Sequence, residues 1–307
     1  MFAEDADLCR SIVLCRNHQT THRSLLHSLC DIGNDRGTPP ETIHAVASSC
    51  PRCLVLHESG NERTPLHLAI VRGCSLSTIK ALVEAADTDD KLSRQDLLLA
   101  LDSKGEIPLI SAVRGEASDD IIKYLVNEDV DGSSLLFEGR GRKKRQSGAP
   151  LKYVASKECS FVGGGLDDPN DLLRFMLMRT YLARWKKRFP KTQVDDDICL
   201  LQATIFCCDL FGSSKVASSI LSYVIRNGLF DRERLDSRRD GAGNLTLHIA
   251  CLSETIKFDQ ILRLEERVSD YGLSGDDCTL MEYLVNASPS PCTAPYLSKN
   301  TEGSIPL

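Results

Sequence analysis

Apolar positions along this chain recur in short helical bursts, not in the strict alternation of a half-buried strand. In residues 60–73, Leu66, Ala69 and Ile70 fall at i, i+3 and i+4 and so share one helix face. The flanking residues fix the ends. Gly60-Asn61 can turn the chain with positive φ. Thr64 suits an N-cap, where its hydroxyl accepts a free backbone N–H. Pro65 suits the first helical position, where its missing N–H costs nothing, and Gly73 suits the stop. A second helix follows over Leu76–Ala86, with Ile79, Leu82 and Val83 at the same spacing. Two short antiparallel helices cannot bury both apolar faces alone, so such pairs must stack on neighbours.

The pattern returns along the chain. Pro108, Leu109 and Ala112 follow Gly105, and Ile122, Leu125 and Val126 supply the second helix; the interval from 66 to 82 equals that from 109 to 125. Leu26 and His27 follow Ser24, with a second helix expected after Thr38-Pro39-Pro40 on Ile43 and Val46. Gly148-Ala149-Pro150-Leu151 is a degraded copy. Leu201, with Val216, Ile220 and Leu221 behind it, is weaker. Leu247, His248 and Ala250 follow Gly243-Asn244 clearly, and Gly303 to Leu307 opens another copy and stops. The anchor leucines are therefore 26, 66, 109, 151, 201, 247 and 307. The fold class expected is all-α, a curved helical-repeat solenoid of antiparallel helix pairs. The organisation expected is a helical lead-in at 1–23, repeats over 24–130, a basic Gly/Ser-rich insertion at 131–148, and divergent repeats over 149–307 with the last unit incomplete.

The string Thr64-Pro65-Leu66-His67, completed by Ala69, resembles the ankyrin-repeat signature. The resemblance is specific over 60–86, good over 105–126 and 241–252, and faint elsewhere. It implies units of about 33 residues; the units here are longer, and the extra residues are expected in loops or in the connections between units. It also implies that Thr64 and His67 form hydrogen bonds locking their helix start to a neighbour. His27 and His248 match the histidine position, with Ser24 and Leu245 at the threonine position, while Ile110, Lys152 and Gln202 replace the histidine. Family members bind proteins through the concave first-helix surface and the loop tips. Arg72 and Arg114 are the candidates there, with Lys80 and Lys123 on the opposite helix. The family supplies no catalytic residue.

Composition narrows the partners. The net charge of −6 argues against bulk nucleic-acid binding. The 13 cysteines are scattered and many lie beside apolar residues, as buried free thiols do, which points to a reducing compartment, cytoplasm or nucleus. The acidic N-terminus lacks a signal-peptide pattern, and no apolar run approaches the roughly 20 residues that span a bilayer. One local exception to the acidic balance is Arg140, Arg142, Lys143, Lys144 and Arg145, a candidate import signal or anion-binding run.

Other constellations were weighed against bland readings. Cys50 and Cys53, with His44 and His57 nearby, have metal-ligand types, but a lone CxxC is a weak signal. Arg184-Trp185-Lys186-Lys187-Arg188 could stack a base, or could close an amphipathic helix from Leu172. The acidic runs at 87–90, 167–168 and 195–197 lack EF-hand spacing, and the glycines at 163–165 and 241–243 complete no phosphate loop. The sequence therefore assigns no catalytic, metal or cofactor site and no small-molecule substrate. It points to a non-catalytic scaffold for a protein partner. The alternatives are a regulatory or substrate-targeting segment of a larger multidomain protein, which the abrupt end at Ile305-Pro306-Leu307 keeps open, and a nucleic-acid-associated protein.

Overall fold

The computed structural model describes residues 23–31, 38–88, 92–115, 117–137, 149–159, 171–188, 200–211, 214–226, 243–252, 261–263, 277–279, 284, 299–300 and 303–304. The chain divides into two compact units, Met1–Pro150 and Leu151–Leu307.

The first unit is built from helix pairs. Helices α1 (Leu25–Asp31) and α2 (Pro40–Ser49) form one pair, α3 (Pro65–Val71) and α4 (Leu76–Glu84) the next, and α6 (Pro108–Arg114) and α7 (Asp119–Glu128) the third. The first helices stack in the order α1, α3, α6, and the second helices in the order α2, α4, α7. Local chemistry sets their lengths. Thr64 caps α3 by accepting the His67 N–H, Pro65 begins it, and Gly73 leaves it with φ +67°. Ser75 caps α4 in the same way through the Thr78 N–H. The anchor residues Leu26, Leu66 and Leu109 are buried, as are Ile79, Leu82 and Val83 of α4 and Ile122, Leu125 and Val126 of α7. In α2 the inward residues are Ile43 and Ala47. Val46 is only half-buried, so this helix is rotated by about one position from its expected phase.

The residues that lengthen each unit follow the second helix. A 3-10 turn at Pro51–Val55 follows α2, so Pro51 opens a further turn. A 3-10 turn at Ala85–Thr88 and the short helix α5 (Arg94–Leu98) follow α4. These pieces pack on one another and bury Cys53, Leu54, Leu97 and Leu98. Ser93 and Asp96 close a reciprocal capping box on α5. The insertions thus add apolar burial of their own.

Between units the chain makes a tight tip. The Asp102 N–H donates to the Glu106 carbonyl (3.0 Å), and the Gly105 N–H donates to the Asp102 carbonyl (2.9 Å). Asp102 Oδ1 accepts the N–H groups of Lys104 and Glu106 at 2.8 and 2.9 Å. The preceding tip is one residue longer, closed by the Glu58 N–H on the Arg63 carbonyl (2.9 Å). The Ser103 N–H reaches the Asn61 carbonyl (2.8 Å), joining one tip to the next.

The second unit holds α8 (Pro150–Cys159), α9 (Asp171–Arg188), α10 (Leu200–Phe206), α11 (Ser214–Arg226) and α12 (Thr246–Leu252). Helix α10 packs on α9, α11 and α12. Tyr181 and Trp185 of α9 stack at 5.7 Å between ring centroids, and Phe206 meets Tyr181 edge-on at 5.2 Å. One element departs from the helical expectation. Strand β1 (Ile261–Arg263) pairs antiparallel with β2 (Asp277–Thr279), Ile261 opposite Thr279, and β1 lies against α11. The tip at 300–304 repeats the earlier hydrogen bonds, with the Asn300 N–H on the Ser304 carbonyl (2.9 Å) and the Ser304 N–H on Asn300 Oδ1 (2.8 Å). Among the described residues no helix is long and apolar enough to cross a membrane.

Three residues before the start of α6, Gly105 holds φ +74°; Gly243 occupies the same offset before α12 at +74°, and Gly303, three residues before Pro306 in sequence, is at +79°. Before α3 that place is taken by Glu62, at φ +50°. A side chain there carries left-handed strain that glycine avoids, offset by the entropy glycine loses on folding. Glu62→Gly should therefore raise the urea midpoint, by about 0.5 kcal/mol and at most about 1, whereas Glu62→Ala should give no such gain.

Candidate functional site

The most regular polar geometry in the molecule is a set of imidazole bridges. Thr64 Oγ1 lies 2.8 Å from His67 Nδ1 and 3.4 Å from the His67 N–H. The hydroxyl accepts that N–H and donates to Nδ1, which places the ring proton on Nε2. Nε2 then donates to the Glu106 carbonyl at 3.0 Å. His27 repeats this. Ser24 Oγ is 2.7 Å and the Ser24 N–H 3.3 Å from its Nδ1, and Nε2 lies 3.0 Å from the Arg63 carbonyl. His248 takes the Leu245 N–H on Nδ1 (3.2 Å) and reaches the Ser304 carbonyl from Nε2 (3.2 Å). Arg63, Glu106 and Ser304 each stand two residues before a proline, Pro65, Pro108 and Pro306. Both ring nitrogens are occupied in every case, which leaves none to bind a metal or shuttle a proton. Burial holds His67 down at about 4, against the opposing pull of the Glu106 carbonyl and Asp102, and burial lowers His27 too. Ile110 holds the equivalent place in α6, buried and without a donor.

The remaining sequence candidates separate. Pro65, Ala69, Pro108, Ala112 and Ala250 are buried packing positions. Cys50 and Cys53 are buried in and beside a 3-10 turn; His44 Nδ1 meets Ser48 Oγ (3.4 Å), and His57 Nδ1 meets the Glu62 carbonyl (2.7 Å). Among the described residues no three His, Cys, Asp or Glu side chains are grouped to hold a metal ion. Burial pushes the thiols up, Cys207 to about 12 and Cys30, Cys74, Cys208 and Cys251 in the same direction. Of the two sequence readings of Trp185, base stacking and the close of an amphipathic helix from Leu172, its burial fits the second. Its neighbours are Tyr181 and Phe206. Arg184 beside it donates to the Phe206 carbonyl (2.7 Å) and pairs with Asp209. Asp87, from the first acidic run, pairs with Arg94. The basic run Arg140, Arg142, Lys143, Lys144 and Arg145 lies outside the described residues, as do the acidic runs at 167–168 and 195–197 and the glycines at 163–165.

A chain of ion pairs runs along the first helices. Arg23 Nε donates to Glu58 Oε2 (2.7 Å) and its Nη1 to Asp31 Oδ2 (2.6 Å), while Arg72 Nε pairs with Asp31 Oδ1 (2.5 Å). One repeat further, Arg114 pairs with Glu106. Asp31, Val71 and Arg114 are the last residues of α1, α3 and α6, and Val71 is 42% exposed. On the second-helix side, Lys80 Nζ sits 5.5 Å from the centroid of the Tyr124 ring. Sequence reasoning found Arg72 and Arg114 but missed their acidic partners. It also missed Asp102 and Asn300, each six residues before a proline, Pro108 and Pro306, and that shared offset was the available signal.

Residues 12–135 match the family model for ankyrin repeats, in three copies. This segment is an ankyrin-repeat array. Its imidazole bridges are the bonds that hold successive ankyrin units in register. Among solved structures the chain is similar to the ankyrin repeat domain of Bcl-3, described as a unique member of the IκB protein family, at 16% identity and a TM-score of 0.38, over 74% of this chain and 77% of that one. No curated protein matches the chain.

The depressed His67 sets a pH dependence for the ankyrin array. The unfolded chain takes a proton on this residue near pH 6.5, while the folded chain refuses it until about 4. The unfolded state then binds more protons, so stability contributed here is present above 6.5 and is lost as pH falls towards 4. Glutamine occupies the histidine place at Gln202 and does not titrate. The stability gap between the wild type and His67→Gln should narrow between pH 7 and pH 4, by on the order of 3 kcal/mol, as read by urea unfolding.

Proposed function

We propose that this protein is a non-catalytic scaffold that binds a protein partner across the first-helix side of its ankyrin array. Ankyrin repeats are generally protein–protein interaction modules, which supports the class of function. The observation that carries the placement is Val71, one of two large hydrophobic residues exposed among the described residues. It stands at the end of α3 beside Arg72, next to the repeat that ends in Arg114. A single exposed valine is ordinary on a folded surface, and it is its place beside Arg72 that fits the apolar and arginine-rich make-up of an interface. Among the described residues, the histidines and thiols that the sequence offers for chemistry are tied up in the fold, which supports the non-catalytic part. His27, His67 and His248 are engaged at both nitrogens, and the buried Cys207 thiol is protonated near neutral pH.

Affinity capture from cell extract tests this with three forms of the full chain: wild type, Val71→Asp, and Arg52→Glu, a control on the exposed Arg52 of the Pro51–Val55 turn. A partner recovered in near-stoichiometric amount with the wild type and the control should be lost with Val71→Asp. Recovery of the same proteins with all three forms would refute the placement.

A further inference from the structure

Charge on the first-helix side is sorted by depth. The carboxylates lie low: Glu58 is 3% exposed and Glu106 8% exposed, and Asp31 is half-buried between Arg23 and Arg72. At Arg72 and Arg114 the guanidinium is the more exposed member of its pair, while Arg23 lies about as deep as Asp31. The side chains of Arg72 and Arg114 are 48% and 43% exposed. Each arginine is held from beneath by its carboxylate, so its side-chain freedom is already spent before any partner arrives. Arg72 pairs with Asp31 through Nε. The row is continuous, because the pairs run from Glu58 at one tip through Arg23 and Asp31 to Arg72 at the far end of the next first helix. Val71 is the apolar point within this row.

From this layering we propose that the first-helix face of residues 23–115 is a docking surface for an acidic peptide segment, one that sets an apolar side chain on Val71 and carboxylates on Arg72 and Arg114. The occupant is fixed by charge. An approaching chain meets the side chains of Arg72 and Arg114 at higher exposure than Asp31 and Glu106, the acids they pair with. A basic segment would meet those arginines and be repelled. The acids are screened by their own arginines, so the face attracts anions although the whole chain carries −6. The proposal rests on the scaffold reading and adds the partner's chemistry to it.

The test uses the full chain and three fluorescent probes of equal length: a Glu/Leu peptide, its Lys/Leu counterpart, and a single-stranded DNA. Anisotropy should show the Glu/Leu peptide binding best, with affinity falling as salt rises. Arg72→Gln and Val71→Asp should each weaken it by at least about fivefold, and Arg52→Glu should leave it unchanged. Both altered side chains are exposed, and thermal unfolding checks that each variant stays folded. Equal binding of the Lys/Leu peptide, tighter binding of DNA lost in Arg72→Gln, or Glu/Leu binding indifferent to both substitutions would overturn the proposal. No Glu/Leu binding alongside partner capture that still depends on Val71 would remove the acidic class and leave the scaffold intact.

Discussion

A buried peptide carbonyl must find a donor, and in this protein an imidazole repeatedly supplies it. Before α3 and α6 the chain runs through a tip, and the carbonyl two residues before the helix faces the preceding repeat. His27, His67 and His248 reach the carbonyls of Arg63, Glu106 and Ser304 from their Nε2 atoms. Each ring is steered by the start of its own helix, through Ser24, Thr64 or the Leu245 amide. The bond therefore ties two repeats at a fixed offset. Helices of seven residues such as α3 and α6 have little stability of their own, and a stack of them depends on bonds of this kind together with buried leucines.

Other features follow from that constraint. A carbonyl held at fixed offset requires a compact tip; the tips at Asp102 and Asn300 meet the need with a left-handed glycine and an Asx side chain that accepts the turn's N–H groups. The ends of the first helices are then held in successive register, which places Asp31, Val71 and Arg114 in one row. Packing leaves these terminal residues little work in the core. They are where ion pairs and an exposed valine accumulate, and where the binding surface is proposed. Rigidity in the tips and first helices thus becomes preorganisation at the surface.

Much of the repeat geometry was legible because it is local. Thr64, Pro65 and Gly73 announce a capped two-turn helix, and Leu66, Leu109 and Leu247 mark its buried face. The family signature carried the role of His67. What escaped was set by tertiary contact. Ala47 replaces Val46 on the inner side of α2 because α4 and the Ala85–Thr88 turn approach from that side. The acids beneath Arg72 and Arg114 come from a neighbouring helix and from a tip, so no helical spacing reveals them. Trp185 stands among cations in sequence, and the residue that packs on it, Phe206, is distant in sequence. The short β1–β2 ribbon has no clear alternation and gave no strand signal.

The central claim concerns where a single proton sits. Nitrogen-15 NMR of imidazole-labelled protein at pH 7 reads the tautomer of each histidine directly. The account predicts a neutral ring for His67, with the proton on Nε2 and Nδ1 acting as acceptor, and the same for His27. A proton on Nδ1, or a doubly protonated ring at that pH, would contradict it.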